Sequence, residues 1–283
     1  MALLPLIRLM RPHQWLKNGF VFAGLIFSQR WQDESLVTQV VLSFAAFCAI
    51  SSAIYIVNDW FDRERDAAHP VKRHRPLASG TVSVGLALAW AAVLLLVGAW
   101  LARGNPALLI LLAIYLVLNL AYSLRLKRVA VVDVYVIASG FMLRLLAGTL
   151  AVGIAPSRWL LLTGMFTALF LGFSKRKAET FHEPAVQRRV LADYPAALLD
   201  TFVAATLTAT LITYSLFASS AEALLAHGER LVYTIPVVIF AMLRYTWRVH
   251  HGKGEDVARD LLADAWIALA ALLWLLLFLG RWI

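Results

Sequence analysis

Long apolar runs are the feature of this sequence that most restricts its fold. Stretches of about 20 residues with few charges recur along most of the chain, and each is long enough to cross a bilayer as an α-helix. Strands of a membrane barrel would instead alternate in polarity over about ten residues, and the sequence lacks that pattern. The chain is therefore predicted to be an all-α, polytopic membrane protein.

Composition favours the same class. The 283 residues are 61% hydrophobic and 15% charged, whereas a soluble domain is about 45–50% apolar and about 25% charged. No internal repeat or low-complexity linker divides the sequence, so we expect one transmembrane domain over residues 1–283. The nine candidate spans are Trp15–Arg30, Leu36–Trp60, Val82–Leu101, Ala107–Ser123, Ala130–Val152, Ser157–Ser174, Leu198–Ala218, Leu231–Val249 and Leu261–Leu279.

Basic residues predict the orientation of these spans. Most of the 26 Lys and Arg residues fall on the side of the N-terminus, and the positive-inside rule places that side in the cytoplasm. The net charge of +9 then lies mainly on the cytoplasmic face of the plasma membrane, where attraction to anionic lipids explains it without any further function. A nucleic-acid partner is not indicated.

An acidic segment follows the second predicted span and reads NDWFDRERDAAHPVKRHRPLASG from Asn58 to Gly80. Asp59, Asp62 and Asp66 are spaced i, i+3 and i+7, which predicts three carboxylates on one face of a helix. Mg²⁺ prefers carboxylate oxygens and is commonly shared with substrate phosphates. The segment is therefore predicted to hold a divalent metal, and its loop adds the basic residues Lys72, Arg73 and Arg75 for a phosphorylated substrate.

Two further polar stripes lie on the fourth and fifth predicted spans. The fourth span carries Tyr115, Asn119 and Tyr122, and the fifth carries Asp133 and Arg144. Eleven residues are close to three helical turns, so the last two share a face. Because polar side chains within a bilayer usually face a cavity or each other, we predict one cavity that opens to the cytosol.

A purely structural interpretation of these groups remains open. Asp62 and Asp66 can pair with neighbouring arginines at a solvated helix end, and Asp133 can pair with Lys127 or Arg128 of the preceding loop. Arg144 argues more strongly for function, because a lone arginine at that depth costs at least ~2.5 kcal/mol.

Several segments resemble a known family. NDWFDRERD and the following HPVKRHRPLASG resemble the first signature of the UbiA superfamily of intramembrane prenyltransferases and its continuation. Other segments resemble one branch of that family, the decaprenyl-phosphate phosphoribosyltransferases. They are RPHQWLKN, YSLRLKRVAVVD, GFMLRLLAG, SKRKAE, RRVLADY and GKGEDVARDLLAD. The resemblance implies nine transmembrane helices around a central cavity, with Mg²⁺ at its cytoplasmic mouth.

One departure from the family pattern concerns the donor. Members that use a prenyl diphosphate carry a second DxxxD motif, but here Asp133 is followed by Ile137 where the second aspartate would lie. The departure is compatible with a phosphoribosyl diphosphate donor and a prenyl monophosphate acceptor.

The resemblance thus implies Mg-dependent transfer of a 5-phosphoribosyl group from 5-phosphoribosyl 1-diphosphate to decaprenyl phosphate, as in arabinan biosynthesis for the cell wall. The implied metal ligands are Asn58, Asp59, Asp62 and Asp66, and the implied catalytic residues are Asp59, Asp62, Asp66 and Asp133. The implied substrate-binding residues are Lys17, Asn58, Lys72, Arg75, Tyr122, Lys127, Arg128, Arg144, Lys175, Arg176 and Arg189.

Two other functions are weighed against this one. The first is a UbiA-type prenyltransferase that joins a prenyl diphosphate to an aromatic acceptor. The second is a transporter whose carboxylates bind a coupling cation, which is disfavoured because the acidic residues crowd the cytoplasmic end and not the midplane. A homo-oligomer is compatible with the sequence.

The orientation yields a prediction. Because nine spans separate the two ends, a reporter fused after residue 283 is expected outside the cytoplasm, and a reporter fused before residue 1 is expected inside it. Protease protection of both fusions in sealed vesicles measures this. A cytoplasmic C-terminal reporter would overturn the predicted topology.

Overall fold

The computed structural model describes residues 3–181, 189–254 and 263–279, and the regular structure in these ranges is helical throughout. The predicted all-α class is thereby confirmed. The α-helices are α1 Leu3–Met10, α2 Ala23–Ser28, α3 Glu34–Phe61, α4 Arg63–Ala67, α5 Val84–Ala102, α6 Pro106–Leu124, α7 Val132–Ala147, α8 Arg158–Glu179, α9 Ala196–Ala218, α10 Ala221–His227, α11 Arg230–Val249 and α12 Ala265–Leu279. The 3-10 helices are Pro12–Phe22, Lys72–His74, Leu126–Arg128, Leu150–Val152 and Arg189–Asp193.

Polar residues fix where the long helices begin. The Asp33 carboxylate accepts a hydrogen bond from the Leu36 amide at 3.0 Å and so caps α3. Ser83 and Ser157 cap α5 and α8 in the same way. These side chains satisfy amide groups that have no partner within the helix, which favours a helix start at these three positions.

Five helical segments in the described part of the chain are long and apolar enough to cross a membrane. They are Glu34–Phe61, Val84–Ala102, Pro106–Leu124, Val132–Val152 and Ala196–Ala218, and they match five of the predicted spans. α12 is a shorter apolar helix, and the predicted start of its span at Leu261 lies outside the described residues. The count of nine spans stays a prediction.

The first predicted span differs from an ordinary helix. A 3-10 helix covers Pro12–Phe22, and α2 continues only to Ser28. Pro12 and the left-handed backbone of Arg11, with φ 53°, separate this segment from α1. A 3-10 helix rises about 2.0 Å per residue against about 1.5 Å for an α-helix, so the segment covers more distance per residue than its length suggests.

The chain separates into two compact units. Residues 1–124 and 143–155 form the first unit, and residues 125–142 and 156–283 form the second. In the first unit α3 packs along α5, and the core of this unit includes Val40, Phe47, Ile50, Leu108 and Leu112. In the second unit α8 packs along α9 and α11 packs along α12, around a core that includes Val134, Phe170, Phe173, Leu199 and Tyr245. A single transmembrane domain over residues 1–283 stays a prediction.

A close backbone approach holds the first unit together at Gly148. A Cβ atom at this position would lie 1.6 Å from the carbonyl oxygen of Val21, and a Cβ at Gly24 would lie 2.1 Å from the carbonyl oxygen of Gly148. Only glycine permits this contact, because the obstructing atoms belong to the backbone. The contact seats the 3-10 helix against the turn that ends α7.

Gly148→Ala is therefore expected to destabilise the protein by about 3 kcal/mol, at the upper end of the cost of overpacking. The midpoint of thermal unfolding in detergent measures the effect. Gly85→Ala is the matched control, since a Cβ there meets nothing within 4 Å and alanine is the better helix former. Equal midpoints for the two variants would contradict the packing argument.

Candidate active site

The acidic segment contains a break that the sequence pattern did not predict. α3 ends at Phe61, α4 begins at Arg63, and Asp62 lies between them with φ −93° and ψ 4°. The three carboxylates are therefore not on one continuous helix, and the predicted single helical face is corrected in this respect. Asp59 belongs to α3 and Asp66 to α4.

Asp59 and Asp66 converge on a single guanidinium group. The Arg75 Nη1 atom lies 3.0 Å from Asp59 Oδ1 and 2.6 Å from Asp66 Oδ2. Both carboxylates are buried, at 4% exposure each, whereas the Arg75 side chain is 30% exposed. Asp59 on α3 and Asp66 on α4 thus face one point, which the Arg75 guanidinium occupies.

A second arginine completes this cluster. The Arg11 Nη2 atom donates to the same Asp59 oxygen, and the guanidinium lies over the ring of Tyr55 at 5.2 Å from its centroid. The Ser52 hydroxyl of α3 donates to the Met10 carbonyl, directly before Arg11, and accepts from the indole of Trp15. We call Asp59, Asp66, Arg11 and Arg75 the acid–arginine cluster.

The other predicted metal ligands lie beside this cluster. The Asn58 amide oxygen accepts a hydrogen bond from the Ser123 hydroxyl at 2.6 Å. The Asp62 carboxylate is 31% exposed and lies 3.7 Å from Arg65, as the solvated helix-end interpretation expected for that residue. Asp66 departs from that interpretation because it pairs with Arg75.

The acidic pair fits a Mg²⁺ ion that is shared with a substrate. Among the residues that the structure describes, no three His, Cys, Asp or Glu side chains are grouped closely enough to hold a metal on their own. Asp59 and Asp66 nevertheless present oxygen atoms to one positive charge, and Mg²⁺ is commonly bound by one or two carboxylates, water and substrate phosphates. The site therefore suits a magnesium ion shared with a substrate.

Arg144 lies within a buried polar network of the first unit. Its Nε atom donates to Asn18 Oδ1, and its Nη2 atom donates to the Tyr115 hydroxyl, both at 2.7 Å. The guanidinium also stands over the Tyr115 ring at 4.6 Å. These two partners are neutral side chains, and the predicted contact of Arg144 with phosphate stays a prediction.

The second unit buries its own ion-pair network around Asp133. Asp133 Oδ2 accepts from Arg176 at 2.6 Å, and Arg176 also pairs with Glu179. Asp133 Oδ1 accepts from the Tyr194 hydroxyl at 2.7 Å. Asp133 is 0% exposed and Arg176 is 1% exposed. Each oxygen of this fully buried carboxylate accepts a hydrogen bond.

The backbone beside Asp133 is strained. Val131 has φ 69°, a conformation that β-branched residues very rarely adopt. Its amide donates to the Tyr194 hydroxyl at 2.5 Å, so one phenol holds both the strained residue and the Asp133 carboxylate. Burial, with the hydrogen bond to Asp133, raises the pKa of Tyr194 above that of a free phenol.

The remaining predicted substrate residues are spread over both units. In the first unit Lys17 donates to Gln14, Tyr122 is half-buried on α6, and Lys72 is exposed. In the second unit Lys127 and Lys175 are half-buried, Arg128 is exposed, and Arg189 belongs to a 3-10 helix. Their predicted contacts with phosphate, and the shared cavity, stay predictions.

The comparison with known proteins establishes the family. The model of the UbiA prenyltransferase family matches residues 19–269. The chain belongs to this family. It is also 36% identical to the decaprenyl-phosphate phosphoribosyltransferase of Corynebacterium glutamicum, over 95% of this chain and 84% of that one. The enzyme of the same name from Mycobacterium tuberculosis is 36% identical, over 93% of this chain and 91% of that one.

Solved UbiA structures share the fold. A UbiA homologue from Archaeoglobus fulgidus bound to GPP and Mg²⁺ superposes with a TM-score of 0.73 at 19% identity, covering 97% of this chain and 96% of that chain. A digeranylgeranylglyceryl phosphate synthase superposes with a TM-score of 0.70 at 17% identity, covering 98% and 97%. This chain is thus a UbiA-family transferase and a multi-pass membrane protein.

Three residues that complete the ion-pair networks around Asp59 and Asp133 had no predicted role. Arg11 and Tyr194 bind to acidic residues far along the chain, which local spacing does not reveal, whereas Glu179 pairs with Arg176 three residues before it. All three nevertheless fall within the segments RPHQWLKN, SKRKAE and RRVLADY that carry the family resemblance. Membership of those segments is the signal that points to them.

Tyr194→Phe tests the buried network of the second unit. Loss of the hydroxyl leaves a partly buried amide and a buried carboxylate oxygen without this partner, so we expect destabilisation of about 1–3 kcal/mol. Thermal unfolding in detergent measures it. Tyr135→Phe on α7 is the control, because that side chain is 49% exposed. Equal unfolding midpoints for the wild type and Tyr194→Phe would remove the proposed anchor.

Proposed function

We propose that this UbiA-family enzyme transfers the 5-phosphoribosyl group from 5-phosphoribosyl 1-diphosphate to a polyprenyl phosphate and releases diphosphate. The observation that carries the proposal is the buried pair of carboxylates, Asp59 and Asp66, turned towards one cationic position. The identity of about 36% with decaprenyl-phosphate phosphoribosyltransferases over more than 90% of the chain supports the choice of substrates.

The acidic pair binds the donor through its diphosphate. Asp59 and Asp66, with Asn58 and Asp62 beside them, would hold Mg²⁺. When bound, that ion supplies positive charge that stabilises a leaving diphosphate. Arg75 and Arg11 then face the same anion and add charge-assisted hydrogen bonds, which are stronger than neutral ones.

The bond changes need no general base. An oxygen of the polyprenyl phosphate attacks C1 of the ribose while the bond from C1 to the diphosphate oxygen breaks. The electron pair leaves with diphosphate, and the transition state has oxocarbenium character. The nucleophile is already an anion, so no proton has to be removed from it.

Basic residues are assigned to the phosphates of the two substrates. We assign Lys17, Lys72 and Arg144 in the first unit to phosphate neutralisation, with Tyr122 as a further substrate contact. In the second unit we assign this role to Lys127, Arg128, Lys175, Arg176 and Arg189. The active site is proposed to face the cytoplasm, where a soluble phosphosugar donor is available, while the polyprenyl tail stays in the lipid.

The state of Asp133 supports a donor other than a prenyl diphosphate. Its two oxygens are bonded to Arg176 and Tyr194, and Ile137 stands where a second aspartate would complete a metal-binding motif. In this arrangement Asp133 acts on the substrate through Arg176, which it positions. A direct contact between Asp133 and the ribose or a second metal remains the alternative role.

A second candidate function is prenyl transfer from a prenyl diphosphate to an aromatic acceptor. The family as a whole is described as a prenyltransferase family, and a related fold has been solved with GPP and Mg²⁺. The same acidic pair would then bind the diphosphate of the prenyl donor.

The donor is tested by supplying purified enzyme with either radiolabelled 5-phosphoribosyl 1-diphosphate or radiolabelled prenyl diphosphate. Each donor is paired with its acceptor, with and without Mg²⁺. We expect label in a polyprenyl product only from the phosphoribosyl donor and only with Mg²⁺. Label transferred from the prenyl donor alone would establish the second candidate instead.

The acidic pair is tested in the same assay. Asp59→Asn and Asp66→Asn are each expected to lower the turnover rate at least about 100-fold, because each removes a charged oxygen from the cation. Glu64→Gln on α4 is the matched control, since that carboxylate is 92% exposed and outside the acid–arginine cluster. Full activity in either aspartate variant would remove the assignment.

A further inference from the structure

The acid–arginine cluster is neutral before any metal arrives. Two buried carboxylates face two guanidinium groups, and Asp59 Oδ1 accepts from both arginines. A free divalent cation approaching this position meets two positive charges that already occupy its ligands. The electrostatic attraction that two buried aspartates would offer to Mg²⁺ is therefore largely cancelled.

The arginines are the movable members of the cluster. The Arg11 and Arg75 side chains are 23% and 30% exposed, whereas the two carboxylates are almost fully buried on α3 and α4. Arg75 follows the short 3-10 helix Lys72–His74, and Arg11 lies at the junction after α1. Each guanidinium can therefore turn towards a ligand at the surface without moving a helix, while the acids stay in place.

The backbone conformation of Arg11 supports its place in the acid–arginine cluster. Its left-handed conformation, with φ 53°, is strained for a residue with a side chain. Strain of this kind persists only where the surrounding structure imposes it, and here Ser52 of α3 holds the preceding carbonyl of Met10 and the side chain of Trp15. The strained turn keeps the guanidinium within reach of Asp59.

We propose that Arg11 and Arg75 act as resident counter-cations that prevent metal binding by the empty site and make it depend on diphosphate. A diphosphate group brings several negative charges, which the two arginines can bind when they leave the carboxylates. The vacated oxygens of Asp59 and Asp66 then bind the divalent ion that the diphosphate carries. The metal and the diphosphate therefore enter together, and Arg11 is a further substrate-binding residue.

This inference rests on the proposed binding of a metal and diphosphate at Asp59 and Asp66. It does not depend on which donor carries the diphosphate, so inorganic diphosphate serves as the probe. If phosphoribosyl transfer fails in the activity assay, the binding result can still be interpreted. If the binding result fails, the activity assay still tests which donor the enzyme uses.

The test has two binding measurements on the purified full-length protein in detergent. The first titrates Mn²⁺ alone and follows the free ion by electron paramagnetic resonance. The second measures retention of radiolabelled diphosphate by the protein, with and without Mn²⁺. The wild type is expected to bind Mn²⁺ weakly on its own and to retain diphosphate only when Mn²⁺ is present.

Arg75→Gln is expected to change the two measurements in opposite directions. Affinity for Mn²⁺ alone should rise about tenfold, because a competing charge is gone, while retention of diphosphate with Mn²⁺ should fall about tenfold. Arg11→Gln should show the same pattern more weakly, and Arg75→Lys, which keeps the charge, should bind Mn²⁺ as weakly as the wild type. A purely structural role would weaken both measurements together.

Arg63→Gln is the matched control for lost charge. Arg63 lies on the same segment, but its side chain is 43% exposed and its ion pair is with Glu64. Less than a twofold change is expected in both measurements.

Two other variants test the proposal if Arg75→Gln does not fold. They are Arg11→Gln and Arg75→Lys, and size-exclusion chromatography checks that each is folded. Unchanged or weaker Mn²⁺ binding in a folded Arg11→Gln protein, or tight Mn²⁺ binding by the wild type without diphosphate, would overturn the proposal.

Discussion

The contact of Arg75 with both Asp59 and Asp66 is the interaction on which this account depends. Carboxylates that are almost fully buried in an apolar helix bundle cannot remain charged without partners, because the loss of solvation costs several kcal/mol per ion. The chain meets this requirement with arginines from loops and helix junctions. Asp59 lies before the break at Asp62 and Asp66 lies after it, and both carboxylates face the same guanidinium.

The second unit pairs its buried carboxylate, Asp133, in a different way. Asp133 and Arg176 are both buried on long helices, and Glu179 and Tyr194 complete their pairing. Arg176 is almost fully enclosed in this network, whereas the partly exposed arginines of the acid–arginine cluster are proposed to exchange partners. A fixed network suits the positioning of a basic residue, whereas an exchangeable cluster suits a site that takes up a metal with its ligand.

Hydropathy predicted most of the helical framework. The predicted limits of the second, fourth and seventh spans lie within two residues of those of α3, α6 and α9, because apolar length decides where a membrane helix can extend. The first span was harder to predict, since Pro12 and the strained Arg11 impose a 3-10 helix that hydropathy does not register. The break at Asp62 escaped prediction for a similar reason, because the i, i+3, i+7 argument assumes an unbroken helix.

The acidic residues were predictable, but their partners were not. Asp59 is bonded to Arg11, which lies 48 residues earlier, and Asp133 is bonded to Arg176, which lies 43 residues later. Such pairings depend on tertiary packing, which cannot be read from the spacing of residues in a single sequence. For Asp133 the sequence suggested a basic partner in the adjacent loop, and the structure supplies one from α8. Family resemblance located the right segments, and only the structure assigned donors and acceptors within them.

The most direct measurement is an experimental structure of the protein with Mn²⁺ and diphosphate, in which anomalous scattering locates the metal. The account predicts a metal peak about 2.0–2.2 Å from one oxygen of Asp59 and one of Asp66, with Arg75 turned onto the diphosphate. A structure in which Arg75 still joins the two carboxylates while the metal lies elsewhere would contradict it.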